Sequence, residues 1–271
     1  MLVTNPKKFA KIAYKTSQLF LSMELTHRAQ IAAWVIADLF QPFVLAVLWS
    51  TVARNGGGGF TGDQMVTYFF MVAVVSKLTK DYSDQYMTNK IMYGEFSKYL
   101  VKPFHYLSEV FGISMGFRFL RLIILLPFLL ITYLYFKDQI MISLSLLHIG
   151  LFFLAAILGF LINFMLGNTF ALVAFFIKQI LGIRSLYENV ITFLSGEVIP
   201  ILAMPLWAVF IVKGLPFRYT LSFPIEIITK QLMDFEIYKG FLIGVLWLVL
   251  LVILYKVLYR FAIKKYEAEG I

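Results

Sequence analysis

Ser143-Leu-Ser-Leu-Leu-His-Ile-Gly-Leu-Phe-Phe-Leu-Ala-Ala-Ile-Leu-Gly-Phe-Leu-Ile-Asn-Phe-Met-Leu-Gly167 contains no Asp, Glu, Lys or Arg. About 20 apolar residues carry a helix across the roughly 30 Å hydrocarbon core of a bilayer, and this stretch is long enough. Working outward, comparable runs are expected at Ala29–Ala53, Met65–Thr79, Phe117–Phe136, Leu186–Ile199 and Phe241–Phe261. The expected fold is all-α: an integral membrane protein with six transmembrane helices. Thr169–Ile177 extends the fourth span, after an expected kink at Gly167-Asn168. Met65–Thr79 is short, so its helix is expected to continue beyond the lipid, and the third helix is expected to begin nearer Tyr106.

Composition agrees and excludes several alternatives. Hydrophobic residues make up 61% of the 271 residues. The net charge of +9 would suggest nucleic acid in a soluble protein; here it reads as the positive-inside bias of membrane loops, and no nucleic-acid partner is expected. With no cysteine there is no disulfide framework, no thiolate nucleophile and no thiolate metal site. His27, His105 and His148 are far apart and lack ligand spacing. The start of the chain places Lys7, Lys8, Lys11 and Lys15 among Phe9, Ile12, Leu19 and Phe20. That pattern predicts an amphipathic interface helix within residues 1–28, lying on the cytoplasmic surface.

Between the spans, the sequence divides by side. Arg54 to Gly62 is a glycine-rich turn. It is no phosphate cradle, because the chain contains no Gly-Lys pair to complete one. Residues 80–106 form the largest polar loop, and Lys178–Glu188 a shorter connection. Residues 200–240 carry Pro200, Pro205, Pro216 and Pro224 among apolar residues. Proline removes a backbone donor and clashes with the preceding turn, so short re-entrant helices dipping into the outer leaflet are expected there. With both termini cytoplasmic, about three in four of the 24 Lys and Arg fall inside. That count includes Arg28, Lys77, Lys80 and Lys178. Lys264, Lys265 and Glu267 close a cytoplasmic tail.

Two groups of residues point to function. In Asn89 to Pro103, a helix would turn Ile91, Phe96, Tyr99 and Leu100 to one side and Lys90, Glu95 and Lys98 to others, and Pro103 would stop it. Such a helix suits a partner's groove; resting on lipid headgroups is the alternative. Inside the spans, Asp38 lies about 14 Å into the first, and Arg118 and Arg121 share a face of the third. Ionisable groups at depth face protein or a water path, so Asp38 is expected to pair with Arg121, as a structural bridge or as part of a substrate path. Glu197 is expected at the outer end of the fifth span, gating a cavity, attracting a cationic substrate or capping the next short helix.

Phe193-Leu-Ser-Gly-Glu-Val-Ile-Pro200, then Met204-Pro-Leu-Trp207, then Leu215-Pro-Phe-Arg-Tyr219 and Phe223-Pro224-Ile-Glu226 follow one another in this order. With Gly94, Leu100 and Pro103 spaced as in a coupling segment, the whole chain resembles permease subunits of type-2 ABC exporters, in a bacterial six-span branch. Glu197 departs from that pattern, where an apolar or small residue is expected. The resemblance implies a single permease domain over 1–271 in a bacterial inner membrane. It implies a translocation path shared with a second permease, identical or homologous. It also implies two separate ATPase subunits that bind the ATP and Mg, so that no cofactor sits in this chain. It implies coupling to the ATPase through Ile91, Gly94, Glu95, Phe96, Tyr99, Leu100 and Pro103, and an outer gate or substrate path at Ser195, Gly196, Glu197, Pro200, Pro205 and Pro216. The cargo implied is an amphipathic or cationic compound, a peptide or a lipid. A secondary transporter or channel is the rival reading; it would need coupling carboxylates near the midplane, where only Asp38 comes close. An intramembrane enzyme would need a nucleophile with a base, or a His-Glu-x-x-His pair, and neither pattern occurs.

Overall fold

The computed structural model describes residues 5–56, 59–143, 145–177 and 180–266, without the side chains of residues 27, 28, 31, 32 and 34–36. The expected positions of the His27 and Arg28 side chains, of Lys178 and of Glu267 lie outside the described residues. Among the described residues all regular structure is helical.

Helix α1 (Pro6–Glu24) starts where the Asn5 side chain accepts the Lys7 backbone N–H at 3.1 Å, with Pro6 at the first helical position. Its apolar stripe does not rest on a membrane surface alone, as expected; it packs along the first half of α6 (Leu107–Phe136). Phe9 meets Phe111 and Phe20 meets Phe117, with ring centroids 5.6 and 5.8 Å apart. Gly112 and Gly116 stand against Ala13 and Ser17, and a methyl at Gly112 would overlap the Ala13 carbonyl. Small residues four apart on both helices let the backbones touch, which is how helices associate where lipid supplies no hydrophobic drive. Tyr14, Leu19 and Met23 on the other side stay exposed.

Helix α2 (Arg28–Arg54) leads to α3 (Gly62–Thr79), whose start is fixed by a capping box between Thr61 and Gln64. The helix gains its length at this end. At the other it stops at Thr79, because Lys80 is extended, and it does not continue as expected. The chain restarts as α4 (Ser83–Met92) and α5 (Ser97–Leu100). Helix α6 begins directly after Tyr106, close to expectation. Helix α7 (Leu146–Ala171) stays helical through Gly167-Asn168, where a kink was expected, and Asn168 Nδ2 donates back to the Phe164 carbonyl at 2.8 Å. It then tightens into a 3₁₀ turn, Leu172–Phe175.

Helix α8 (Leu181–Leu194) replaces the expected span at Leu186–Ile199. Its 14 residues reach about 21 Å, short of a bilayer core. The proline-rich segment forms α9 (Leu206–Gly214), α10 (Pro216–Thr220) and α11 (Ser222–Ile228), and α12 (Asp234–Lys265) ends the fold. Among the described residues, three helical stretches are long and apolar enough to cross a membrane: α6, α7 with its 3₁₀ extension, and α12.

Helix α7 serves as the ruler of the bundle. Just before it, the Ser143 N–H donates to the Ile228 carbonyl at 2.9 Å. Midway, Gly159 lies against the Tyr219 and Thr220 backbone, and near the far end Gly167 lies against Asp84. Beyond that, Phe175 packs on Phe96. The short helices α10 and α11 therefore reach the middle of the bundle, and every residue of α11 is buried. The residues 80–106 wrap the opposite end.

Candidate functional site

A cavity of about 500 Å³ lies between α1, α2, α3, α4 and α6. Helical spacing builds its charged wall: Lys77 and Lys80 are three apart at the end of α3, as are Arg118 and Arg121 on α6. Asp38 of α2 accepts from Lys77 Nζ at 2.8 Å and lies 3.8 Å from Arg121 Nη1. The structure thus brings Asp38 and Arg121 together but gives Asp38 a nearer partner. From sequence Lys77 enters only the count of inside cations; its place in the last turn of an apolar helix is the signal that it needs a buried partner. Arg118 lies beyond salt-bridge range of Asp38. Its guanidinium sits 3.6 Å over the Phe160 ring and donates to the Lys80 carbonyl at 3.3 Å. Arg121 stacks on Tyr82 and Phe117 at 4.3 and 4.2 Å. Asp81 accepts from the Ser114 and Ser83 hydroxyls, and Asn168 Nδ2 donates to Ser83 at 2.8 Å.

Glu197 is not at an end of the bundle, and it does not cap the following 3₁₀ turn Ile201–Ala203. It is buried, and its Oε1 accepts from Lys80 Nζ at 2.6 Å. The segment around it is a hub. Gly196 is left-handed (φ +87), and a side chain there would run into Ser222 Oγ and into Tyr68 Oη at 2.6 Å. Its carbonyl accepts from Tyr68 Oη at 2.7 Å, the Ser195 carbonyl accepts from the Ser222 hydroxyl, and the Val198 carbonyl accepts from Trp49 Nε1 at 3.0 Å. Residues 195–198 therefore tie α2, α3 and α11 together. Pro200 is buried ahead of the 3₁₀ turn, exposed Pro205 precedes α9, and buried Pro216 opens α10. A second ion pair, Arg218 with Glu226, joins α10 to α11 with both side chains buried. Sequence reading missed it as a pair, although two opposite charges in an apolar segment were its signal.

At the other end, the stretch 88–103 is not one helix with an outward apolar face. It breaks at Tyr93-Gly94, where Gly94 takes φ +69. Ile91, Phe96 and Tyr99 are buried in the chain itself. Phe96 packs edge-on against Tyr106, Phe175 and Tyr266 at 5.0–5.7 Å. Tyr266 Oη donates to the Gly94 carbonyl at 2.7 Å and accepts the Ser97 N–H at 2.9 Å, clamping the turn to the end of α12. What faces outward is Tyr93, Lys98, Val101 and, of the expected set, Leu100 and Pro103. Pro103 ends the segment; its carbonyl accepts from Lys8 Nζ at 2.7 Å. Lys90 pairs with Glu95, with Lys98 3.7 Å away. This pairing holds the Lys90 pKa up and the Glu95 carboxyl below its usual range. Burial lowers His105 to about 4.

The arrangement thus consists of a cation-lined cavity bounded by four bundle helices and α1, a buried hub at 195–198, and a rigid turn clamped to α12. Among the described residues no cluster of metal-ligating side chains occurs. Neither the curated proteins nor the solved structures give a match to this chain. The model of the family described as ABC-2 family transporter protein matches residues 35–270, which takes in the cavity wall from Ala37 onward, the hub and the clamped turn, and the chain belongs to that family.

Proposed function

We propose that this protein is the permease subunit of an ATP-driven exporter, working with a second permease and two ATPase subunits that hold the ATP and Mg. The observation that carries the reading is the family match over nearly the whole chain; the clamped turn at 93–103 supports it. A segment that receives force from a partner needs an exposed contact surface and a stiff connection behind it. Tyr93, Leu100 and Val101 supply the surface, and Phe96 with Tyr266 supplies the connection. In this reading the chain has six membrane passes in a bacterial inner membrane, with both ends and the turn in the cytoplasm, and residues 195–228 control the outer side of the path. Helix α8 makes its pass together with the hub and α9. The chain itself carries no enzyme activity.

The experiment is co-purification with an ATPase bearing Gly-x-x-x-x-Gly-Lys-Ser/Thr, followed by ATP hydrolysis in reconstituted vesicles. Val101→Glu is expected to lower copurified ATPase about tenfold, on the scale of one lost contact of about 1.4 kcal/mol, with the membrane yield of the permease unchanged. Transport by the isolated chain on an ion gradient alone would instead support a secondary transporter.

A further inference from the structure

The charged cavity lies beside an apolar one. A cleft of about 810 Å³ runs between α2, α3 and the later half of α6, and Ala37 lines both. Its walls include Phe40, Phe43, Phe69, Phe70, Phe128 and Leu129, and among the described residues Arg54 is the only charged one lining it. From Asp38 to Arg54 the cleft follows α2 for about 24 Å, more than the roughly 15 Å that one leaflet's acyl chains occupy. A charged chamber that meets a long apolar one matches a molecule with a polar head and a hydrocarbon tail.

Among the described residues the four cations of the lining are matched in number by Glu24, Asp38, Asp81 and the Glu197 partner of Lys80. The sign of the head therefore follows from which cation lacks a carboxylate partner. Lys80 is neutralised by Glu197, and Asp81 is held by two serine hydroxyls. Asp38 alone answers both Lys77 and Arg121. Arg118 has no carboxylate within 4 Å among the described residues, and its Nε is buried without an acceptor. Glu24, half-exposed at the end of α1, is the remaining carboxylate of the lining. Guanidinium groups favour phosphate and carboxylate oxygens. We propose that this chain binds an anionic amphiphile, its phosphate or carboxylate head at Lys77, Arg118 and Arg121 and its acyl chain in the cleft along α2. The occupant is either a membrane phospholipid or a transported amphiphile of the same chemistry. This deepens the permease reading, which supplies only the reason for the occupant's presence.

The test uses the full chain in phosphatidylcholine vesicles without any ATPase, so its failure leaves the ATPase partnership standing and the reverse also holds. Trace phosphatidylglycerol and phosphatidylcholine, each with a photoreactive group in the acyl chain, are crosslinked and mapped by mass spectrometry. Phosphatidylglycerol is expected to label Phe43, Phe70 and Phe128 about tenfold more than phosphatidylcholine, the worth of one charge-assisted hydrogen bond. Arg118→Gln brings the two lipids level while phosphatidylcholine labelling is unchanged, which shows the cleft intact; Arg118→Lys keeps part of the preference. Ala73→Trp, which fills the cleft, abolishes the preference for phosphatidylglycerol at those sites. Added dodecyl phosphate displaces the label from a site that exchanges cargo and leaves it on a site for resident lipid; both outcomes support the proposal. Equal labelling by the two lipids in the unaltered chain, or displacement by inorganic phosphate as effective as by dodecyl phosphate, overturns it.

Discussion

Helices α3 and α12 differ in a way that runs against intuition from soluble proteins. Helix α12 holds the most apolar stretch of the span-length helices, yet most of its surface is exposed, including Leu246, Val249, Leu250 and Ile253. Helix α3 carries a lysine in its last turn and is buried along almost its whole length. In lipid an apolar side chain gains little by moving from acyl chains to protein, whereas an uncompensated polar group is costly. The polar side chains therefore gather inside the bundle. Lys77, Tyr68 and Thr67 of α3 all find partners there: Asp38, the Gly196 carbonyl, and the carbonyls of Asp63 and Gln139. Hydropathy identifies which helices touch lipid; buried polar partners identify which helix is central.

That contrast is open to attack by substitution. The largest effect is expected at Glu226→Leu, which leaves Arg218 charged and buried without its carboxylate. The cost is about 3–5 kcal/mol, read as a fall in the detergent unfolding temperature, and Arg218→Met in the same chain should restore most of it. If the double variant were no better than the single one, the pair would not be what holds α10 to α11. Lys77→Met is expected to cost less, about 2 kcal/mol, because Asp38 retains Arg121 and is one-third exposed. Gly112→Leu should overpack the α1–α6 contact by about 1–3 kcal/mol; protease cleavage of α1 is the readout, and an α1 that stays protected would mean its docking does not depend on backbone contact.

A smaller effect is expected from pH at the clamped turn. His105 titrates near 4 when folded, against 6.5 for the free side chain. Its Nδ1 accepts the Leu107 N–H at 3.2 Å, so it must be neutral. A depressed histidine stabilises the fold in full above about 6.5, and that contribution fades as pH falls from 6.5 toward 4. Relative to the intrinsic exchange rate at each pH, amide protection at 105–110 should fall between pH 7 and 5, and His105→Gln should remove that dependence. The smallest effect belongs to Val249→Ala on the exposed face of α12, within about 0.5 kcal/mol. A loss comparable to that of Lys77→Met would overturn the contrast between the two helices and mark that face as a protein interface.

Much of the architecture was legible in the sequence. The apolar runs at 117–136, 143–177 and 241–261 appear as the three span-length helices, and the prolines between 200 and 224 foretold short, broken helices. The pairings were less legible. Lys80 and Glu197 are 117 positions apart, and each has an ordinary local explanation, a loop cation and a cap. The apolar side of 88–103 reads from sequence as a face for a partner or for lipid, and the chain itself covers most of it. Periodicity reports that a face is apolar and leaves open what covers it. Here Tyr266, near the far end of the chain, closes over Phe96, leaving Tyr93, Leu100, Val101 and Pro103 among the outward residues.

By itself the sequence determined a helical membrane chain, its polar loop and its broken segment, because bilayer thickness and backbone hydrogen bonding act on each stretch separately. Only the tertiary structure decided that Asp38 is shared by Lys77 and Arg121, that Glu197 lies inside beside Lys80, and that α1 is docked on α6. Those outcomes depend on which distant helices come within a few ångströms of one another, and in lipid that choice is made by close packing of small residues and by polar groups that must find one another.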